Sequence, residues 1–262
     1  MHDLERVVSE AVKIKRNRNE NLGFSEGAIW ALEQLLLARH HMLKQVYSHR
    51  VRLITDAMIF RGTSLAADED IDVKRLFVYD GSKTFLDSWM ALDDETMMRA
   101  VLGSRSLKGR SLFSDLRARK LHKQVARIDL KGMGDALISD RLSRLEGQDR
   151  AEVENEIADC LGIDLLMAEP WRVIVNLVSA TKPVFGGERV RMDPSTILIQ
   201  RETNEILKFS DHPEVVRIFP EYREYLDVYL PGSVFPDRGP DRERFLLESV
   251  ERIRALLNSK FS

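Results

Sequence analysis

Arg39 and Arg50 stand where a helix would ordinarily carry leucine. Both belong to the stretch 28–61, AIWALEQLLLARHHMLKQVYSHRVRLITDAMIFR. An α-helix turns about 100° per residue, so Leu32, Leu36, Leu43, Val46, Leu53, Ala57 and Phe60 form one apolar stripe. The two arginines fall close to its centre line. A buried guanidinium costs several kcal/mol unless an anion meets it. Two chemistries follow. The arginines pair with carboxylates of neighbouring helices or snorkel to water, or they reach towards an external anion, of which phosphate is the commonest biological example. Tyr47 and His49 lie roughly 80° to either side of the stripe, where such residues ordinarily pack with a satisfied polar tip.

The elements that must hold these residues are read from periodicity and breakers. Asp3 to Lys15 is expected to be a short helix, ended by a solvated KRNRNEN loop. Ser25 is placed to cap the long helix, which is expected to stop near Gly62. Residues 63–80 read as acidic and irregular, and helices follow at about 81–91, 93–103 and 105–120, with Asp93 as an N-cap. The character then changes. KQVARIDL alternates like a strand, and WRVIVNLV (171–178) and TILIQ (196–200) are β-branched runs. Helices are expected at about 134–146 and 149–161 between the first two. NEILKF reads as a strand, a brief helix starts near Asp211, EYLDVYLP is a last strand, and a helix covers 241–259. The order suggests a mostly α chain: a helical region over 1–125, then a small α+β lobe with a mixed or antiparallel sheet over 126–262.

Other chemistry-bearing groups are explained more simply. Asp93 and Asp94 suit a helix start better than an acid–base pair. KPVFGG at 182–187 lacks the residue order of a phosphate loop. Arg117, Arg119, Lys120, His122 and Lys123 gather at a helix C-terminus, where cations are favoured in any case. The histidines show no metal-binding spacing and Cys160 is alone. The formal charge of −2, with 31% charged residues, gives no bulk field for nucleic acid or membrane. No apolar run approaches the roughly 18 residues of a membrane span, and the start lacks a signal-peptide core. A cytoplasmic protein is expected.

The run GAIWALEQLLLARHHMLKQVYSHRVRLITDAM, with Arg39, Tyr47, His49 and Arg50 as an R-x7-Y-x-H-[RK] core, resembles the HD-superfamily phosphohydrolases. The likeness points to the deoxynucleoside triphosphate triphosphohydrolases and their homologues. Leu92-Asp93-Asp94, LRARKLHKQV at 116–125, and Asp3-Leu4-Glu5-Arg6, similar to the family's "DLxRL" helix, extend it over residues 3–125.

The resemblance implies specific roles. Arg39 would meet substrate phosphates and Tyr47 the sugar or base side of the pocket. His49 and Arg50 match positions near a second nucleotide in relatives with regulatory sites. The family's divalent metal is held by a His, a His-Asp pair and a distant Asp, all upstream of the "DLxRL" helix. His2-Asp3 lacks the apolar flanks and partner histidine of such a site. The chain is therefore expected to be the C-terminal part of an HD phosphohydrolase, with no cofactor or catalytic residue of its own and no activity alone. Its expected partners are a nucleotide and either further copies of itself or a missing catalytic half. The alternative is a non-catalytic interaction module, or the subunit of a split gene, docking through the 28–61 helix.

Overall fold

The computed structural model describes residues 2–16, 19–133, 136–179, 197–209 and 224–261. It is mostly α-helical with two small sheets, in agreement with the expected class. The chain divides into two compact units, Met1–His49 with Ser179–Arg223, and Arg50–Val178 with Glu224–Ser262. No helix among the described residues is long and apolar enough to cross a membrane.

In the first unit, helix α1 (His2–Ser9) is followed by strands β1 (Ala11–Arg16) and β2 (Asn19–Ser25). They pair antiparallel from Ala11↔Phe24 to Arg16↔Asn19. The expected helix over 3–15 and its solvated loop are thus a short helix and a hairpin. The residues responsible are Val12, Lys13, Ile14 and Lys15, which alternate with the period of a strand. β2 continues parallel to β5 (Leu198–Gln200), which pairs antiparallel with β6 (Ile206–Lys208). Helix α2 (Ile29–Met42) closes a core of Val7, Ala28, Ile29, Ala31, Leu32, Leu36, Ile199 and Phe209. Ser25 makes no capping hydrogen bond; its hydroxyl donates to the Glu10 carboxylate across the hairpin.

The second unit starts with α3 (Arg50–Glu69), which runs straight through Gly62. A Cβ on Gly62 would lie 2.7 Å from the Phe113 ring, and one on Gly109 would lie 2.8 Å from the Ala66 Cβ. Both glycines are there for the close approach of α3 and α7 (Leu107–Arg117), not to end a helix. The stretch 63–80 is correspondingly more ordered than expected. Asp70 caps α4 (Ile71–Arg75), its carboxylate accepting the amides of Asp72 at 2.9 Å and Arg105 at 2.8 Å. Helix α5 (Lys83–Met90) is capped by Ser82, and α6 (Asp94–Gly103) by Asp93, which accepts the Thr96 amide at 2.7 Å. These helices match the expected positions, and Asp93 is the expected cap.

The sheet of this unit has the order β3-β7-β4, with β3 (Lys123–Asp129), β4 (Ile174–Ser179) and β7 (Glu224–Leu230). β3 and β7 run antiparallel, Lys123 opposite Leu230, with an irregularity between Gln124 and Ala126. Leu226, Val228 and Leu230 bury against α8 (Ala136–Ser143), α9 (Gly147–Leu161) and α11 (Pro240–Phe261) through Leu142, Ile157, Ile253 and Leu257. Ile174 and Tyr229 pack instead with Ile54 and Met58 of α3 and Leu112 of α7. A sheet apolar on both faces needs a layer on each, which is why helices before residue 125 share a unit with strands after it. A short helix α10 (Asp164–Ala168) leads towards β4. The helix expected near Asp211, the KPVFGG run and His212 lie outside the described residues.

Candidate functional site

The expected single helix over 28–61 is two helices with a π-helical segment, Leu43–Tyr47, between them. The Val46 carbonyl accepts the His49 amide at 3.3 Å, closing the turn before α3 begins at Arg50. Such i→i+5 segments recur at functional sites. The interruption also corrects the stripe drawn on an uninterrupted wheel. Leu32 and Leu36 bury in the first unit's core and Ala57 in the second's, while Val46 and Phe60 are exposed.

Arg39 lies near the end of α2, Tyr47 ends the π segment, His49 follows it, and Arg50 opens α3; all four are exposed. Neither Arg39 nor Arg50 is therefore the buried guanidinium that the wheel suggests. Without desolvation there is no demand for an internal carboxylate.

The arginine that does lie on an apolar face is Arg61. It extends the buried row Ile54, Ala57, Met58 of α3 by one turn. Glu154 occupies the same kind of position on α9, in line with Ile157, Ala158 and Leu161, and is 1% exposed. The two meet at 2.7 Å. The other carboxylate oxygen of Glu154 accepts the Val175 amide at 3.1 Å, on strand β4 at the edge of the sheet. Burial pushes the Glu154 carboxyl up to about 7, outweighing Arg61, the Val175 amide and the charge of Arg150. A side-chain oxygen that satisfies this amide also shields the edge from further pairing.

The pair floors a cleft of about 630 Å³, walled by Phe60, Arg150, Glu146 and Asn176. The Arg150 guanidinium lies 6.0 Å from the Phe60 ring centroid and donates to the Leu145 carbonyl at 2.8 Å. Asn176 hydrogen-bonds Tyr229, and burial beside Asp227 raises the Tyr229 phenol. Asp227 is fully buried, accepting from Arg127 at 2.8 and 2.7 Å, Gln124 at 2.7 Å and the Tyr229 hydroxyl at 2.9 Å. Such a fork-bound carboxylate is a rigid anchor. The arrangement holds charges in a recess, with a carboxyl whose proton changes hands near neutral pH. The signal for Glu154 was the one used on Arg39, a charge in an apolar row, but on α9.

His122 leaves the basic cluster expected around 117–123. It is 2% exposed, with Nε2 2.9 Å from the Arg172 carbonyl. Burial depresses it to about 4, with the Arg172 carbonyl and Asp115 opposing and the Arg172 charge assisting. It is neutral at physiological pH, whereas Arg117, Arg119 and Lys120 remain exposed.

Among the described residues no three His, Cys, Asp or Glu side chains converge as a metal site.

A family model described as the HD associated region matches residues 3–201. That is 199 of 262 residues, well over half of the chain. No curated protein is found to match the sequence.

Proposed function

Because the chain belongs to the family of HD associated regions, we propose that it is the accessory part of an HD-superfamily nucleotide phosphohydrolase. On this reading an HD core supplies the metal and the attacking water, and this chain contributes binding groups. Arg39 takes substrate phosphate and Tyr47 the sugar or base, while His49 and Arg50 face a second nucleotide.

The observation that carries the reading is the exposure of all four side chains around a π-helical interruption, within the matched region. An exposed guanidinium keeps its donors available for a phosphate. The deoxynucleoside triphosphates are the first substrates to test, on the resemblance of the 27–58 run to the triphosphohydrolases.

The test is calorimetric titration of dATP and dGTP into the full chain and into its assembly with an HD-domain protein. Arg39→Ala is expected to weaken binding by roughly tenfold to a hundredfold, the worth of a charged hydrogen bond. Turnover is expected only from the assembly. Unchanged affinity in Arg39→Ala, or chelator-sensitive turnover by the chain alone, removes this reading.

A further inference from the structure

The cleft between α3, α9 and β4 lies wholly within the unit of Arg50–Val178 and Glu224–Ser262, apart from the 39–50 stretch. Its volume of about 630 Å³ suits a small organic molecule. Leu53, Ala57, Phe60 and Ile174 give it an apolar side. Its floor is charged. Arg61 is 17% exposed and gives one terminal nitrogen to Glu154 and its Nε to the Trp171 carbonyl at 3.5 Å. Arg150 gives one terminal nitrogen to the Leu145 carbonyl. A guanidinium carries five N–H groups, so both keep donors for another oxygen.

Charge counting selects the ligand. The charges of Arg61 and Arg150 both act on the buried Glu154 carboxyl, and β4 offers it only the Val175 amide. α11 also packs on α9, but its Lys260 and Arg252 are taken up by Glu156 and the Leu161 carbonyl. Arg172, before β4, is held by Glu169 and Asp115. At the rim Asp56 pairs with Arg52 at 3.4 Å, and Glu146 is exposed. With Glu154 protonated, Arg52, Arg61 and Arg150 face Asp56 and Glu146, three charges against two. Arg61 then lacks its internal counter-charge. A single carboxylate restores the balance, whereas a phosphate dianion overshoots it.

We propose that this cleft binds a small monocarboxylate with an apolar body, which Arg61 and Arg150 hold while Glu154 carries a proton. The apolar body lies against Phe60 and its neighbours. The site stands whether or not Arg39 meets a nucleotide, since it shares no residue with the 39–50 stretch.

Calorimetric titration of benzoate into the full chain at pH 6 and pH 8 tests it, beside benzylamine and phenyl phosphate. Benzoate is expected to bind about tenfold more tightly at pH 6, the ratio of protonated Glu154 at the two values when it titrates at about 7. At pH 8, titrations in buffers of different ionisation heat should register the uptake of close to one proton. Glu154→Gln, neutral throughout, should bind at both pH values as tightly as the parent at pH 6. Arg150→Gln, its fold checked by circular dichroism, should bind roughly tenfold to a hundredfold more weakly. The proposal is overturned if benzoate does not bind, if benzylamine binds in its place, or if phenyl phosphate, a dianion at pH 8, binds more tightly there. It is equally overturned if Glu154→Gln keeps the parent's pH dependence, or if Arg150→Gln leaves the affinity unchanged.

Discussion

Arg61 on α3 and Glu154 on α9 meet at 2.7 Å, in a unit where Glu154 also closes the edge of a sheet through the Val175 amide. One carboxylate thereby joins two helices and a strand. Its charge exists in the fold only because Arg61 faces it, since burial alone drives the carboxyl towards its neutral form.

Removing Arg61 should accordingly cost more than neutralising Glu154. Arg61→Ala leaves a buried carboxylate without its cation above about pH 8, where Glu154 is charged, and is expected to lose about 3–5 kcal/mol there. Glu154→Gln keeps an acceptor for the Val175 amide and is expected to lose about 1–2 kcal/mol. Urea titration of both variants checks the order, and equal losses would show that the pair is not coupled.

Two buried groups should leave opposite marks on the pH dependence of stability. Glu154 is raised from 4.5 to about 7, so its contribution is complete below 4.5 and is lost as pH rises to 7. His122 is depressed from 6.5 to about 4, so its contribution is complete above 6.5 and is lost as pH falls to 4. Each amounts to about 3 kcal/mol over its interval. Their slopes cancel between pH 4.5 and 6.5, and these two groups together leave the profile flat there. Glu154→Gln should expose a stability that rises with pH over this window, and His122→Gln one that falls. Urea midpoints of the two variants at pH 4.5, 5.5 and 6.5 decide it.

Gly62→Ala and Gly109→Ala should each destabilise the chain by about 1–3 kcal/mol, through overpacking where α3 meets α7. The usual gain of about 1 kcal/mol for alanine over glycine in a helix is outweighed, because the added methyl meets Phe113 in one case and Ala66 in the other. Gly103→Ala, with nothing within 4 Å of its Cβ, is the control and should be neutral or better. Thermal melts of the three variants measure the contrast.

Arg39→Ala should change folding stability by no more than about 0.5 kcal/mol, since its side chain is exposed. A loss of about 3–5 kcal/mol in denaturant titration would instead reveal a stranded carboxylate and a structural arginine.

Local chemistry was legible in the chain by itself. Asp93 caps its helix because an aspartate before a helical run accepts the amide three residues on, whatever surrounds it. The alternation of 123–129 announces a strand because side-chain direction follows backbone period. The HD likeness was likewise carried by a contiguous motif, and the family match covers the same stretch. What tertiary structure decided was everything that depends on a partner far along the chain. The wheel over 28–61 assumed one unbroken α-helix, whereas a π segment at Leu43–Tyr47 interrupts it; Arg39 and Arg50 are exposed, and Arg61 is the arginine in line with the buried row of α3. Gly62 reads as a helix end until Phe113, 51 residues away in sequence, is brought against it. Glu154 acquires its raised pKa only when α9, α3 and β4 converge, because desolvation and the facing charge are properties of the assembled site and not of any residue in it.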